Sequence, residues 1–140
     1  MSFLLDTNVL SELRKGPRCD RNVARWLSAV DDDDLHTSVV VLGELARGIE
    51  RVRSRDPVFA GQLEQWLRRT VEAMAERILP IDRAVALRWG RITAPRTVPP
   101  IDGLLAATAM VHGLVLVTRN VRDVADLGVS HLNPFEPSPH

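Results

Sequence analysis

A single cysteine, Cys19, leaves no partner for an internal disulfide. No cysteine or histidine spacing suits zinc, and the four histidines are scattered. Lys15 is the only lysine; every other basic side chain is arginine. Acidic and basic residues balance at 18 each, so no global basic field announces nucleic acid, and only local patches remain open to it. Arginine suits phosphate through its bidentate fork, although a GC-rich genome explains the same bias. No apolar run reaches the ~18 residues that span a membrane. The first residues lack a signal-peptide pattern. Together these absences predict a cytoplasmic protein with no membrane role. Repeats, low-complexity tracts and linkers are also missing, which predicts one domain over residues 1–140, fraying from about residue 136. A chain of that length buries roughly two thirds of its unfolded surface.

What is present alternates between short apolar runs and helical stripes. Ser2 to Leu5 reads as a strand ending at Asp6-Thr7-Asn8. Asn8 to Arg14 reads as a short helix, stopped by Lys15-Gly16-Pro17. Asp20 is placed to cap a second helix carrying Val23, Trp26, Leu27 and Val30. The acidic run Asp31 to Asp34 reads as a solvated loop before a strand at Leu35 to Thr37. Ser38 caps a third helix over Val39 to Arg53, with Glu44 at the edge of its apolar stripe and several arginines after it. Asp56-Pro57 opens a fourth helix, ending near Met74. Ile78 to Ile81 is extended, and Asp82 caps a fifth helix with Val85, Leu87, Trp89 and Ile92 on its apolar side.

The segment from Ile101 to Asp123 reads as one unit. Pro99-Pro100 is a stop, Asp102 opens a helix, and Leu104 to Met110 is apolar on every side, which predicts burial. Gly113 caps that helix, and Leu114 to Val117 is a buried strand ending at Thr118-Arg119-Asn120. A short helix over Val121 to Leu127 and a last strand over Val129 to Leu132 follow. This alternation predicts an α/β domain with a mainly parallel sheet, whose sites form at the carboxyl ends of the strands.

Several carboxylates head for that edge. Asp6 ends the first strand, Glu44 lies about two turns into the helix after the second, and Asp102 opens the helix before another. Each alone also reads as a helix cap or a solvated residue. Gathered together they repel and need a compensating charge. With no histidine, cysteine or lysine in the pattern, the natural compensator is a hard cation such as Mg²⁺ or Mn²⁺. Such ions clamp phosphate and activate water.

Three stretches carry a family resemblance. MSFLLDTNVLSEL at the start, TSVVVLGELARGI in the middle and IDGLLAATAMVHGLVLVTRNVRDV near the end, with NPF closing, resemble a PIN-domain nuclease. The chain is most similar to the VapC toxins of VapBC toxin–antitoxin pairs, in the branch that includes FitB. The resemblance implies a three-layer α/β/α fold and a Mg²⁺- or Mn²⁺-dependent endoribonuclease that leaves a 5′-phosphate and a 3′-hydroxyl. It implies that Asp6, Glu44 and Asp102 hold the metal and carry catalysis, with Thr7, Asn8 and Thr118 lining the site. The family's fourth acid falls at Asn120, an uncharged and weaker ligand; Asp123, three residues on, is the alternative fourth position. Arg119 is a candidate contact to RNA phosphate. The resemblance also implies a homodimer held inactive by a VapB-type antitoxin, whose tail covers the site. Trp26 and Trp66 are candidates to line a groove for it, and both also read as core residues.

Two rivals remain. A receiver or haloacid-dehalogenase phosphotransfer domain also gathers aspartates at strand ends. It needs a late lysine, and none follows Lys15; the dehalogenase type also needs an aspartate two positions after Asp6, where Asn8 stands. A catalytically weak or inactive PIN-fold binding module is the other alternative, and Asn120 is its support.

Overall fold

The computed structural model describes residues 1–137. The fraying expected from about residue 136 falls largely on residues 138–140, which lie outside the described residues. Five strands and seven α-helices follow one another among the described residues, with short 3₁₀ turns between some of them: β1 (Phe3–Leu5), α1 (Thr7–Leu13), α2 (Arg21–Ser28), β2 (Leu35–Ser38), α3 (Val39–Arg53), α4 (Pro57–Met74), β3 (Ile78–Leu79), α5 (Arg83–Thr93), α6 (Pro100–His112), β4 (Val115–Val117), α7 (Val121–Val124) and β5 (His131–Leu132). The strands form one five-stranded sheet in the order β3-β2-β1-β4-β5, and every pairing is parallel. Helices cover it as two packed groups, α1 to α4 and α5 to α7, giving the α/β/α layering.

Chain order in the sheet decides where a ligand can enter. From β1 the chain steps outward through β2 to β3, then returns to place β4 on β1's other side. The order therefore reverses between β1 and β4, and a parallel sheet opens a crevice at the carboxyl edge of that switch point. The register Leu5↔Val117 brings the last residues of both strands level. Asp6 and Thr118 are the next residues along each. Leu4, Leu5, Leu116 and Val117 are fully buried beneath them, so the crevice has a rigid apolar floor.

Local chemistry explains most boundaries. Asp20 accepts from Asn22 N and Val23 N, Ser38 from Val40 N, Asp56 from Phe59 N and Asp82 from Val85 N. Each supplies an acceptor that a helix start otherwise lacks, worth about 1 kcal/mol. Gly113 ends α6 at φ 67°, a conformation glycine adopts without penalty. Gly103 and Leu105 to Ala109 are buried, as the charge-free run requires.

The structure corrects three expectations. Helix α6 begins at Pro100, so Pro100 is its first residue rather than part of a stop, and Asp102 lies inside the first turn instead of capping it. Proline is favoured there because its missing N–H has no intrahelical partner to lose. On α5, Val85, Trp89 and Ile92 follow the helical stripe, but Leu87 is 54% exposed because its spacing turns it away. Trp89 remains at the surface edge, covering Gly103. The acidic run is not a plain loop either: Asp32–Asp34 form a 3₁₀ turn, held by the Arg77 guanidinium on the carbonyls of Asp32 and Leu35.

Candidate active site

Asp6 is the centre of the crevice. It is 4% exposed and its side chain is almost fully committed. Oδ1 accepts from Thr7 N at 2.6 Å. Oδ2 accepts from Thr118 Oγ1 at 2.7 Å and from Asn8 Nδ2 at 3.4 Å. Its backbone N–H bonds to Val117 O at 3.0 Å, which extends the β1–β4 ladder to the site. Burial raises the Asp6 carboxyl above its usual pKa; the Thr118 and Thr7 bonds pull it back, and the Glu44 charge adds to the rise.

Glu44 reaches the same place from α3. Ser38 caps that helix at the end of β2, and buried Thr37 ties β2 to β1 by donating to Leu5 O at 3.0 Å. Thr7 Oγ1 donates to Glu44 Oε1 at 2.5 Å. Thr7 thus joins the two acids, through its amide to Asp6 and through its hydroxyl to Glu44.

Asp102 closes the opposite wall from α6. Its carboxyl is pushed up to about 6, by burial first and then by the charges of Asp6, Asp123 and Glu44. Asp102 therefore feels the charges of three other carboxylates, Asp6 just after β1, Glu44 on α3 and Asp123 on α7. Asn120 donates its backbone N–H to Thr118 Oγ1 at 3.0 Å, and its side chain is exposed. Asp123, three residues later, lies in the first turn of α7, which starts at Val121, and its charge acts on Asp102.

The polar lining is a connected set. Asn8 spans Asp6 and the turn after β4, accepting from Arg119 N at 3.1 Å. The Arg119 guanidinium stacks over Phe135, 4.4 Å from the ring centre. Phe135 is in turn anchored by Asn22 Nδ2 on its carbonyl at 2.8 Å. Phe135 escapes a sequence reading because it lies fifteen positions beyond Asn120, and only the NPF turn hints at it.

An apolar groove of about 300 Å³ leads away from Thr7 and Glu44 between α1, α3 and α4. Leu45, Ile49, Phe59, Leu63 and Trp66 form its walls. Of the two candidate groove tryptophans only Trp66 is there. Trp26 packs edge-on to Phe3, ring centres 5.2 Å apart, as a core residue.

The donor chemistry suits a hard divalent cation: Asp6, Glu44, Asp102 and Asp123 offer only carboxylate oxygens, and burial together with the charges of the others raises the Asp102 carboxyl. The side chains are not arranged as a finished cage. No three acidic, histidine or cysteine groups among the described residues converge closely enough to hold an ion as placed. Asp6 and Glu44 have turned oxygens to Thr7, Asn8 and Thr118 instead.

Acids held at the switch point of a five-stranded parallel sheet define the class, and residues 3–127 match the PIN domain model. The chain belongs to the PIN domain family. It is 32% identical over 143 residues to the VapC ribonuclease Y4jK of Sinorhizobium fredii, covering 97% of this chain and 99% of that one. It is also 32% identical to Toxin FitB of Neisseria gonorrhoeae, over 95% and 98% of the two chains. Among solved structures, a chain of FitAB bound to a DNA fragment superposes with a TM-score of 0.85 at 28% identity, covering 99% of each chain. These relatives agree with the resemblance first seen in the three sequence motifs.

Proposed function

We propose that residues 1–140 form a single PIN domain acting as the toxin of a toxin–antitoxin pair, a divalent-metal-dependent endoribonuclease of the cytoplasm. The observation that carries this reading is that Thr7 bonds both Asp6 and Glu44 at the switch-point crevice, while the charges of Asp6, Asp123 and Glu44 act on Asp102 from α6. Relatives named as a VapC ribonuclease and a FitB toxin support it.

Asp6, Glu44 and Asp102 would hold Mg²⁺ or Mn²⁺, with Asp123 the fourth acid within reach. When bound, such an ion supplies Lewis acidity to the scissile phosphate and makes water a competent nucleophile near neutral pH. The chain's own residues do the rest. Thr118 and Thr7 fix the Asp6 oxygens, so the central carboxylate cannot swing away. Thr7 holds Glu44 against it. Glu44 or Asp102 orients the attacking water for in-line displacement, which leaves a 5′-phosphate and a 3′-hydroxyl. Arg119, steadied by Phe135, offers a guanidinium to a phosphate beside the scissile one. A VapB-type antitoxin would lay an apolar tail in the Trp66 groove, next to Glu44, and a homodimer is the expected assembly.

The second reading is an inactive PIN-fold binding module. In its favour, the acids are not preset as a cage, and Asn120 replaces an acid. One experiment separates the two. Purified protein is incubated with mixed RNA and Mg²⁺ or Mn²⁺, with and without EDTA, beside Asp6→Ala and Asp102→Ala. The nuclease reading predicts cleavage that chelation and both substitutions abolish. Cleavage that survives them comes from something else, and no cleavage in any arm favours the binding module.

A further inference from the structure

Arg14, Lys15 and Arg18 line a polar pocket of about 350 Å³ at the far end of α1. Arg14 also lines the apolar groove that begins at Thr7 and Glu44, so the pocket and the groove lie on either side of one side chain. We infer that this pocket is a phosphate-binding subsite for single-stranded RNA, holding the strand a few nucleotides from the scissile bond. The inference rests on the nuclease reading above.

The geometry follows from helical spacing. Thr7, Ser11 and Arg14 lie at i, i+4 and i+7 on one face of α1, and all three line the groove. At ~1.5 Å per residue, Arg14 stands about 10 Å from Thr7 along that face, within reach of a strand that crosses the crevice. Gly16, at φ 58°, then turns the chain so that Pro17 and Arg18 fold back in a 3₁₀ turn beside Arg14.

Charge pairing singles out two of the three cations. Lys15 is already engaged, with Nζ 3.0 Å from Glu12 Oε1. Arg14 and Arg18 make no salt bridge among the described residues. Arg14 is held over the Phe59 ring at 5.7 Å, which orients its planar fork without consuming its donors. Phe59 and Trp66 meanwhile give the groove aromatic faces at its outer wall. A cationic track beside aromatic faces is the arrangement that holds single strands without reading sequence. With net charge zero over the whole chain, a local cluster of this kind is also what would be needed to draw in RNA.

The test measures binding of a labelled single-stranded 12-mer RNA to the full chain in EDTA, across a salt series. The variants are Arg14→Gln/Arg18→Gln, Arg18→Gln alone in case the pair fails to fold, and Arg83→Glu on α5 as a charge control. The pocket predicts that the double variant binds on the order of tenfold more weakly, with the log–log salt slope reduced by about 1.4, two contacts at about 0.7 each. The single variant loses about half of that slope change, and the control none. Unchanged affinity and slope in a folded Arg18→Gln overturn the inference. So does loss of antitoxin binding with RNA binding intact, which would assign the pocket to the protein partner. A parallel Mn²⁺ cleavage assay on the unsubstituted chain reports on the nuclease reading by itself.

Discussion

Asp123 acts on Asp102 through its charge: exposed on the first turn of α7, it adds to the rise of the Asp102 carboxyl to about 6, after burial and the charge of Asp6. A divalent cation held between these acids would offset that repulsion.

The fourth acidic position is therefore expected at Asp123 and not at Asn120. Asp123→Asn should weaken Mn²⁺ binding about tenfold or more and bring the metal-free Asp102 carboxyl down from about 6. Asn120→Asp should leave Mn²⁺ affinity unchanged. Titration calorimetry with Mn²⁺ on both variants checks this. Tighter binding in Asn120→Asp would return the fourth position to the turn after β4.

Asp102 should also cost the metal-free protein stability at neutral pH. Its folded carboxyl titrates near 6 against 3.8 for the unfolded chain, so the folded state binds more proton between those values. That contribution to stability is fully present below about pH 4 and is lost as pH rises through 6. Asp102→Asn removes the charge. In EDTA it should raise unfolding stability by about 1–2 kcal/mol at pH 7.5, a figure discounted for partial exposure, and much less at pH 4.5. Urea melts at the two pH values measure the difference. An equal gain at both would mean that Asp102 is not strained by its neighbours.

Thr118 holds Asp6 by a side-chain bond that no solvent can replace, since both residues are buried. Thr118→Val keeps the shape and removes the hydroxyl. The expected cost is about 1–3 kcal/mol in a denaturant melt, because Asp6 Oδ2 loses its short bond and Asn120 N loses its acceptor. Cleavage should fall further than stability alone explains. Thr118→Ser should recover most of both.

Close packing behind Asp102 sets its position. A Cβ on Gly103 would stand 2.9 Å from Thr93 Cγ2 and 3.1 Å from Trp89 Cδ1 and Nε1, so α5 and α6 touch through that glycine. Gly103→Ala should destabilise by a net of about 1–2 kcal/mol, overpacking outweighing the better helix propensity of alanine. Activity should drop with it, since Asp102 is the adjacent residue. Adding Thr93→Ser removes the clashing methyl and should restore part of the loss in a thermal melt.

Much of this was legible in the residues themselves. Aspartate and serine caps at Asp20, Ser38, Asp56 and Asp82 act within three residues, so local chemistry announces them. The charge-free run after Asp102 announces burial, and the strand ends place Asp6 and Thr118. What stayed hidden depends on tertiary placement. Trp26 and Trp66 look alike on their helices, but only the α3–α4 packing decides which one faces a groove. Arg119 meets Phe135 because the NPF turn folds back beyond β5. Which of Asn120 and Asp123 bears on the other acids depends on where α7 starts, and the rotation of one short helix is below what spacing reveals. The first turn of α6 is hidden for a related reason: a proline pair reads as a stop, whereas here Pro100 is the first helical residue.

The most direct test of the central claim is metal-dependent RNA cleavage by the unsubstituted chain and by Asp102→Asn, at equal folded concentration. The four-carboxylate site predicts cleavage in Mn²⁺ or Mg²⁺, none in EDTA, and a loss of at least a hundredfold in Asp102→Asn despite its greater stability. Full activity in a folded Asp102→Asn, or undiminished cleavage in EDTA, would contradict it.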